Sequence, residues 1–600
     1  MLMNRCFYIL FFLLSSLFVK GQNLVWNSEG MDFKLANNRI QGWERSILTS
    51  MAFCTDSIMH NGRYPLLIGQ ERMMDMGFPL KATLEHCFCL PDADGDSLLV
   101  SITCKSRNLA KAALFISGMD KQENQLNTDT LFIHGRSDWY TFTKWISRRD
   151  AAIIHLAISV SGEVGTQGQN LWLDRIVITT EEGKILDCSK MNGSDDIYLS
   201  HKDLISLSLS VPTYFDRLTS TLKNKKIVAL GESVHGTQPM NELTIQLIKN
   251  HIQYNHCKLV LLELPIEKML SVNRYVQGDE NFQLDSLRNI VRYSLMSDSM
   301  IDFFVWLKEY NRISEDKVWL LGIDYDYRIS DSYIDLIDYF LMVNKVREIQ
   351  DVWEMCRIMF GSKYEDKEMI LQVFDSIAGC KDLLGDKEWK IVRYCLENSI
   401  RQGKSSSVRF TLRDKVMFDN LQFLSALICP SQQETVMIYS HLMHANYISS
   451  SSWDRSASFG KLAKEQFKEN YLCIGLFTLQ GQTLSRGSTV GSTVIRDLQM
   501  ALNNSLESVL GRLMCDCFYL PVEELPSSLF YIRTSGNVYV ENQLQTINPV
   551  SRMGGVIFVK QSTPVKKELD MLHLKLNPDV IYFDQCLRIR NTLNHLINNN

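Results

Sequence analysis

Two textures of hydrophobic patterning divide the chain. From about residue 22 to 190, apolar and polar residues alternate in short runs closed by turn residues, the period of two that a half-buried strand requires. The clearest runs are 98–104, 112–116, 153–158 and 171–178. Evenly spaced strands without helices predict an all-β sandwich of jelly-roll type. From about residue 204 the texture changes. The run Lys226-Ile227-Val228-Ala229-Leu230 reads as a buried strand, and Met240, Leu243, Leu247, Ile248 and Ile252 then fall at helical spacing. Further apolar runs at 258–262, 318–323, 436–439, 472–477 and 556–559 are separated by helical stretches. This alternation predicts an α/β domain over 204–600 with a mostly parallel sheet. Between about 330 and 427 only amphipathic helical stretches occur, which predicts a helical cap or insert.

The first residues follow a different logic. A short charged start, the apolar run Cys6 to Val19 and the small residue Gly21 make 1–21 a secretory signal peptide by pattern. Export to the periplasm or outside the cell is therefore expected. No later run reaches the roughly 20 apolar residues of a spanning helix, so no membrane span is expected after signal removal.

Composition narrows the remaining classes. Net charge is −5, from 63 basic and 68 acidic residues that are interspersed. Without a basic stripe, nucleic acid is not an expected partner. Of 15 cysteines, all but Cys6 lie past residue 21, and Cys257, Cys395, Cys429 and Cys473 sit inside apolar runs. They read as buried small hydrophobes. Cys87-Phe88-Cys89 and Cys515-Asp516-Cys517 lack a complete zinc spacing, and strand alternation explains the first pair. Asp92, Asp94 and Asp96 mimic a calcium loop, but Ser97 and Thr103 stand where Gly and Glu are needed, so a hairpin turn is expected.

The chemistry concentrates at strand ends. The first strand of the second domain runs into Gly231-Glu232-Ser233-Val234-His235-Gly236, a strand-to-helix loop at the carboxyl edge where ligands of open α/β sheets bind. The next strand ends on Glu263, and a βαβ unit of this length is expected to set its two strand ends side by side. A third strand ends on Asp324. The fourth ends on His441, followed by His444. No Gly-x-Ser-x-Gly elbow occurs, which disfavours a serine hydrolase.

These motifs, in this order, resemble the erythromycin esterase family. Its Gly-Glu-x-x-His-Gly-Thr loop reads here Gly231 to Thr237; its strand-closing acid is Glu263. Its Gly-x-Asp end is Gly322-Ile323-Asp324, and its His-x-x-His is His441-Leu442-Met443-His444. The helix from Arg413 to Asn420 and the segment Phe459-Gly460-Lys461-Leu462 are secondary echoes. Two positions depart from the family: Leu442 stands where Asn is usual, and Pro239, Met240 and Thr244 occupy the usual place of an acid-aromatic pair and a basic residue. The resemblance implies hydrolysis of a lactone or other carboxylic ester by water, without a covalent intermediate and without a cofactor. On that reading His235 is the base, and Glu232 or Glu263 orients it. His441 or His444 donates to the oxyanion or leaving group, and Asp324 and Thr237 contact substrate.

Two rival readings remain open at this stage. The same Glu/His cluster could hold a divalent metal in a metallohydrolase. The front domain, whose first and last strands resemble carbohydrate-binding jelly rolls, could instead mark a non-catalytic exported glycan-binding or assembly protein. The expected partner is a small ester or lactone, including one linked to a saccharide, with glycan contact by the front domain. Trp26, Trp43, Trp139, Trp145 and Trp172 read there as core residues before sugar-stacking ones.

Overall fold

The computed structural model describes, with gaps, residues 58–325, 384–402 and 412–567, together with a few strand and helix positions before 58, between 335 and 343, and at 591. The expected signal peptide, Trp26, Trp43, the turn at 92–94 and the span 344–383 lie outside the described residues.

The front domain is a sandwich of two five-stranded antiparallel sheets. One runs, in strand order, 140–147, 97–107, 170–180, 66–69 and 52–54; the other runs 44–45, 81–89, 153–161, 111–119 and 125–133. Strand Ser97–Arg107 alternates buried and half-buried positions along its length. Leu98, Val100, Ile102 and Cys104 therefore face Leu114, Ile116, Leu156 and Ile158 across the core. Trp172 is core, as its pattern predicts, but Trp145 is 52 % exposed. Trp139 stacks on His60 with ring centres 4.1 Å apart, and His60 is held by Asp174 at 2.8 Å.

The second domain is built on a nine-stranded mixed sheet. Its path is 205–206, 517–521, 555–562, 471–486, 227–232, 435–441, 257–265, 319–324, and strand 493–498 pairs with 471–486 outside that path. The six strands from 555–562 to 319–324 are parallel; the other three pair antiparallel. One expectation fails here. Strands Ile227–Glu232 and Cys257–Pro265 are not neighbours, because Thr435–His441 lies between them. All seven residues of Thr435–His441 are buried, and so apolar a strand belongs at the centre of a sheet covered on both faces. The crossover thus skips one place, and a strand from later in the sequence brings its histidine between the two carboxylates.

Of the helical insert, Asp386–Gln402 and Arg413–Ile428 are described helices. The first is tied to helix Ile266–Gln277 by Arg274, which donates to Glu388 at 2.9 Å. Cys257, Cys395, Cys429 and Cys473 are buried thiols, as their apolar runs predict. No helix among the described residues is long and apolar enough to cross a membrane.

The two domains share a polar joint. Glu123, on a turn of the sandwich with φ +66°, accepts from the backbone N–H of Asn548 at 2.8 Å. It also pairs with Arg552, whose Nε lies 2.9 and 2.8 Å from its two oxygens.

Candidate active site

The loop after strand Ile227–Glu232 is pinned on both sides. Ser233 N–H donates to Leu476 O, Ser535 N–H to Ser233 O, and His235 N–H to Ser535 O, at 2.9–3.0 Å. Thr483 Oγ1 donates to His235 O at 2.5 Å. Gly236 has φ +79°, and a Cβ there would lie 2.0 Å from Leu484 O, so the loop closes only on glycine. Thr237 stands at the N-cap position of helix Gln238–Tyr254, fully buried, and among the described residues its Oγ1 has no hydrogen-bond partner.

Five of the strand-end residues meet: Glu232, His235, Glu263, His441 and His444. His235 Nδ1 lies 2.5 Å from Glu232 Oε1. Its ring packs edge-on against His441 with centres 4.8 Å apart, and His441 against His444 at 6.5 Å. Glu263 Oε2 accepts the backbone N–H of His441 at 2.7 Å. Asp324 lies one step back: it holds Arg413, whose Nε is 3.2 Å from both carboxylate oxygens and whose Nη2 is 2.6 Å from Oδ2. The same guanidinium reaches Glu263 Oε1 at 2.8 Å and His444 Nε2 at 3.0 Å.

Hydrogen-bond chemistry then fixes the proton positions on the three rings. Arginine only donates, so His444 Nε2 accepts from Arg413 and its Nδ1–H donates to Asp414, at 3.0 and 3.1 Å from the two oxygens. His441 Nδ1 accepts the N–H of Met443 at 3.3 Å, and its Nε2–H donates to Ser233 O at 3.2 Å. Both rings use both nitrogens. His235 gives Nδ1–H to Glu232, and among the described residues its Nε2 has no hydrogen-bond partner.

Electrostatics separates the three in the same way. Burial works against charge on His441, the neighbouring His235 adds to this, and its pKa falls to about 3. Burial also opposes charge on His235, but the charge and hydrogen bond of Glu232, helped by Glu263, lift it above the ordinary imidazole value. His444 is lifted against burial by Asp414 and Glu263, while Arg413 pulls the other way. A proton on Nε2 of His444 would face the Arg413 N–H, so that proton requires the guanidinium to move. Glu263 is pushed up by burial, yet His444, Arg413 and His235 bring it well below the usual carboxylate range.

Arg413, Asp414 and Tyr439 join the site although strand-end reasoning passes over them as site residues. Arg413 and Asp414 open the helix Arg413–Ile428, far from any strand end in sequence. Tyr439 was within reach: it lies two residues before His441, so period two puts it on the same sheet face. Its hydroxyl donates to Glu232 Oε2 at 2.7 Å. Among the described residues no three His, Cys, Asp or Glu side chains form a group that could hold a metal ion.

No curated protein matches the chain. A Bacillus cereus protein of known structure is 15 % identical over 60 % of this chain and 96 % of its own, with a TM-score of 0.47. An erythromycin esterase mutant in its open conformation is 14 % identical over 60 % and 96 %, with a TM-score of 0.44. The carbohydrate-binding module TmCBM61, solved with β-1,4-galactotriose, is 14 % identical over 27 % of this chain and all of its own, with a TM-score of 0.20. The erythromycin esterase family model matches residues 387–562. That segment contains Arg413, Asp414, Tyr439, His441 and His444 and begins after Glu232, His235, Glu263 and Asp324. It is through this segment that the chain matches the erythromycin esterase family, the same family its strand-end motifs resemble.

Proposed function

We propose that the chain is an exported hydrolase of the erythromycin esterase type that opens a lactone or cleaves another carboxylic ester with water activated at His235. The observation that carries this reading is the commitment of imidazole nitrogens. His441 and His444 each spend both nitrogens on protein partners, while among the described residues His235 has no partner on Nε2 and anchors Nδ1 on Glu232. In the neutral ring Nε2 is the basic atom, so it takes the proton of a water attacking the carbonyl carbon. Glu232 then faces an imidazolium and stabilises it across the 2.5 Å contact.

The developing oxyanion needs donors that it does not have to displace water to reach. Two candidates belong to the cluster: the Nε2–H of His441, packed against His235, which would exchange Ser233 O for the substrate, and the guanidinium of Arg413 beside His444 and Glu263. The rigid fork of Arg413, braced by Asp324 and Glu263, suits a negative oxygen. Thr237 and Asp324 are proposed to act from behind, one under the loop and one behind the arginine, in place of direct substrate contact. The exposed Trp145 supports glycan contact by the front domain, and with it a saccharide-borne ester as substrate.

Macrolides, simple lactones and acetylated saccharides incubated with the mature chain, with and without chelator, test the reading by mass spectrometry. Gain of one water that survives chelator is expected. Activity abolished by chelator and restored by zinc or manganese would instead make the Glu/His cluster a metal site.

A further inference from the structure

The buried hydroxyl of Tyr439 is tied to the acid that orients His235, and the network behind it continues inward. Tyr439 is 1 % exposed and Glu232 is 1 % exposed, so neither exchanges its bond with solvent. Strand register sets Glu232 opposite His441 and Leu230 opposite Tyr439. From there the phenol reaches Glu232 Oε2 at 2.7 Å while His235 holds Oε1 at 2.5 Å. The carboxylate is thus gripped once on each oxygen. The Asn241 side chain lies near the Tyr439 hydroxyl and acts on it electrostatically. Asn241 is itself fixed by Ser297 Oγ, which donates to its Oδ1 at 2.6 Å, and by its own donation to Leu295 O at 3.2 Å. Tyr439, Glu232 and His235 thus form one bonded chain, with Asn241, fixed to Ser297 at the cap of helix Asp298–Ile313, behind it.

We propose that Tyr439 is a positioning residue for the Glu232–His235 pair, its hydroxyl holding the carboxylate in place and setting how firmly His235 keeps a proton. The assignment rests on His235 being the base. The Tyr439 hydroxyl stays protonated, because burial and the neighbouring Glu232 push it far above the ordinary phenol value, so it acts as a fixed donor. A donor on Oε2 favours the pair most when the pair carries its net negative charge, before His235 takes a proton. Removing the donor makes the pair hold that proton more firmly. Strengthening it does the reverse. The other charged or titratable groups facing the pair are Glu263, His441 and His444, with Arg413 behind Glu263; none of them touches the Tyr439 hydroxyl.

The test is a titration of the full chain carrying ¹³C-labelled histidine, followed by NMR, with the His235 signal assigned by its loss in His235→Gln. In Tyr439→Phe the His235 midpoint is expected to move up by about one pH unit. With 3-fluorotyrosine at 439, a stronger donor of nearly the same shape, it is expected to move down. Imidazoles outside the cluster, such as His251, should titrate as in wild type. A midpoint that does not move in either folded variant, or moves the same way in both, overturns the assignment. The titration needs no substrate, so wild-type chain that turns over no ester would sink the hydrolase reading and still leave Tyr439 decided by its own result.

Discussion

Removing the Arg413 guanidinium should be the most costly single change at this site. Its side chain is 14 % exposed, and its partners Glu263 and Asp324 are 8 % and 5 % exposed. It makes three contacts with Asp324 and one each with Glu263 and His444. Arg413→Met keeps most of the stem and leaves two buried carboxylates without their shared cation. Breaking a buried ion pair from one side costs about 3–5 kcal/mol. The pH dependence follows from Glu263, whose folded value is held below the ordinary one by His444, Arg413 and His235 against burial. Such a group adds stability above the ordinary carboxylate value of about 4.3 and loses it as pH falls toward the folded value. Without Arg413 that contribution shrinks, so wild type and variant should differ most near neutrality and converge on acidification. Urea unfolding followed by circular dichroism at about pH 7.5 and about pH 4 measures both arms. A difference below about 1 kcal/mol at neutral pH, typical of an exposed pair, would refute the reasoning. So would a gap that widens in acid.

Other expectations follow from close approach and from the domain joint. A Cβ at Gly231 would lie 2.9 Å from Leu442 Cα, so Gly231→Ala should displace the turn between His441 and His444. We expect a loss of about 1–3 kcal/mol in a thermal or urea melt, with turnover falling further than stability alone explains. Glu123→Ala takes from Arg552 a carboxylate that is 4 % exposed. It should cost about 3 kcal/mol and separate the unfolding of the two domains into distinct calorimetric transitions; one unchanged transition would deny the joint a role in coupling them.

Much of this site was legible in the sequence because strand ends are local events. An apolar β-branched run that stops at Glu232, Glu263, Asp324 or His441 names both the strand and the edge to which its last residue is delivered. What the sequence does not encode locally is which strand sits beside which. The expected pairing of 227–232 with 257–265 gives way to an insertion of 435–441, and that order decides that His441 stands between Glu232 and Glu263. Arg413 was hidden for a related reason. It enters from a helix of the insert, and amphipathic spacing does not say which cation of a helix turns inward. In the front domain, alternation located the strands correctly but could not tell a buried tryptophan, Trp172, from an exposed one, Trp145, because it assigns a residue to a face and does not say what covers that face.

The claim on which the account depends is that His235 Nε2 is the base. Its most direct measure is the rate at which His235→Gln opens the first lactone or ester that wild type turns over, read by mass spectrometry beside wild type at the same pH. The account predicts a fall of roughly 10²–10⁴-fold with the fold intact. Turnover within tenfold of wild type would contradict it and move the search for the base to the other rings of the cluster.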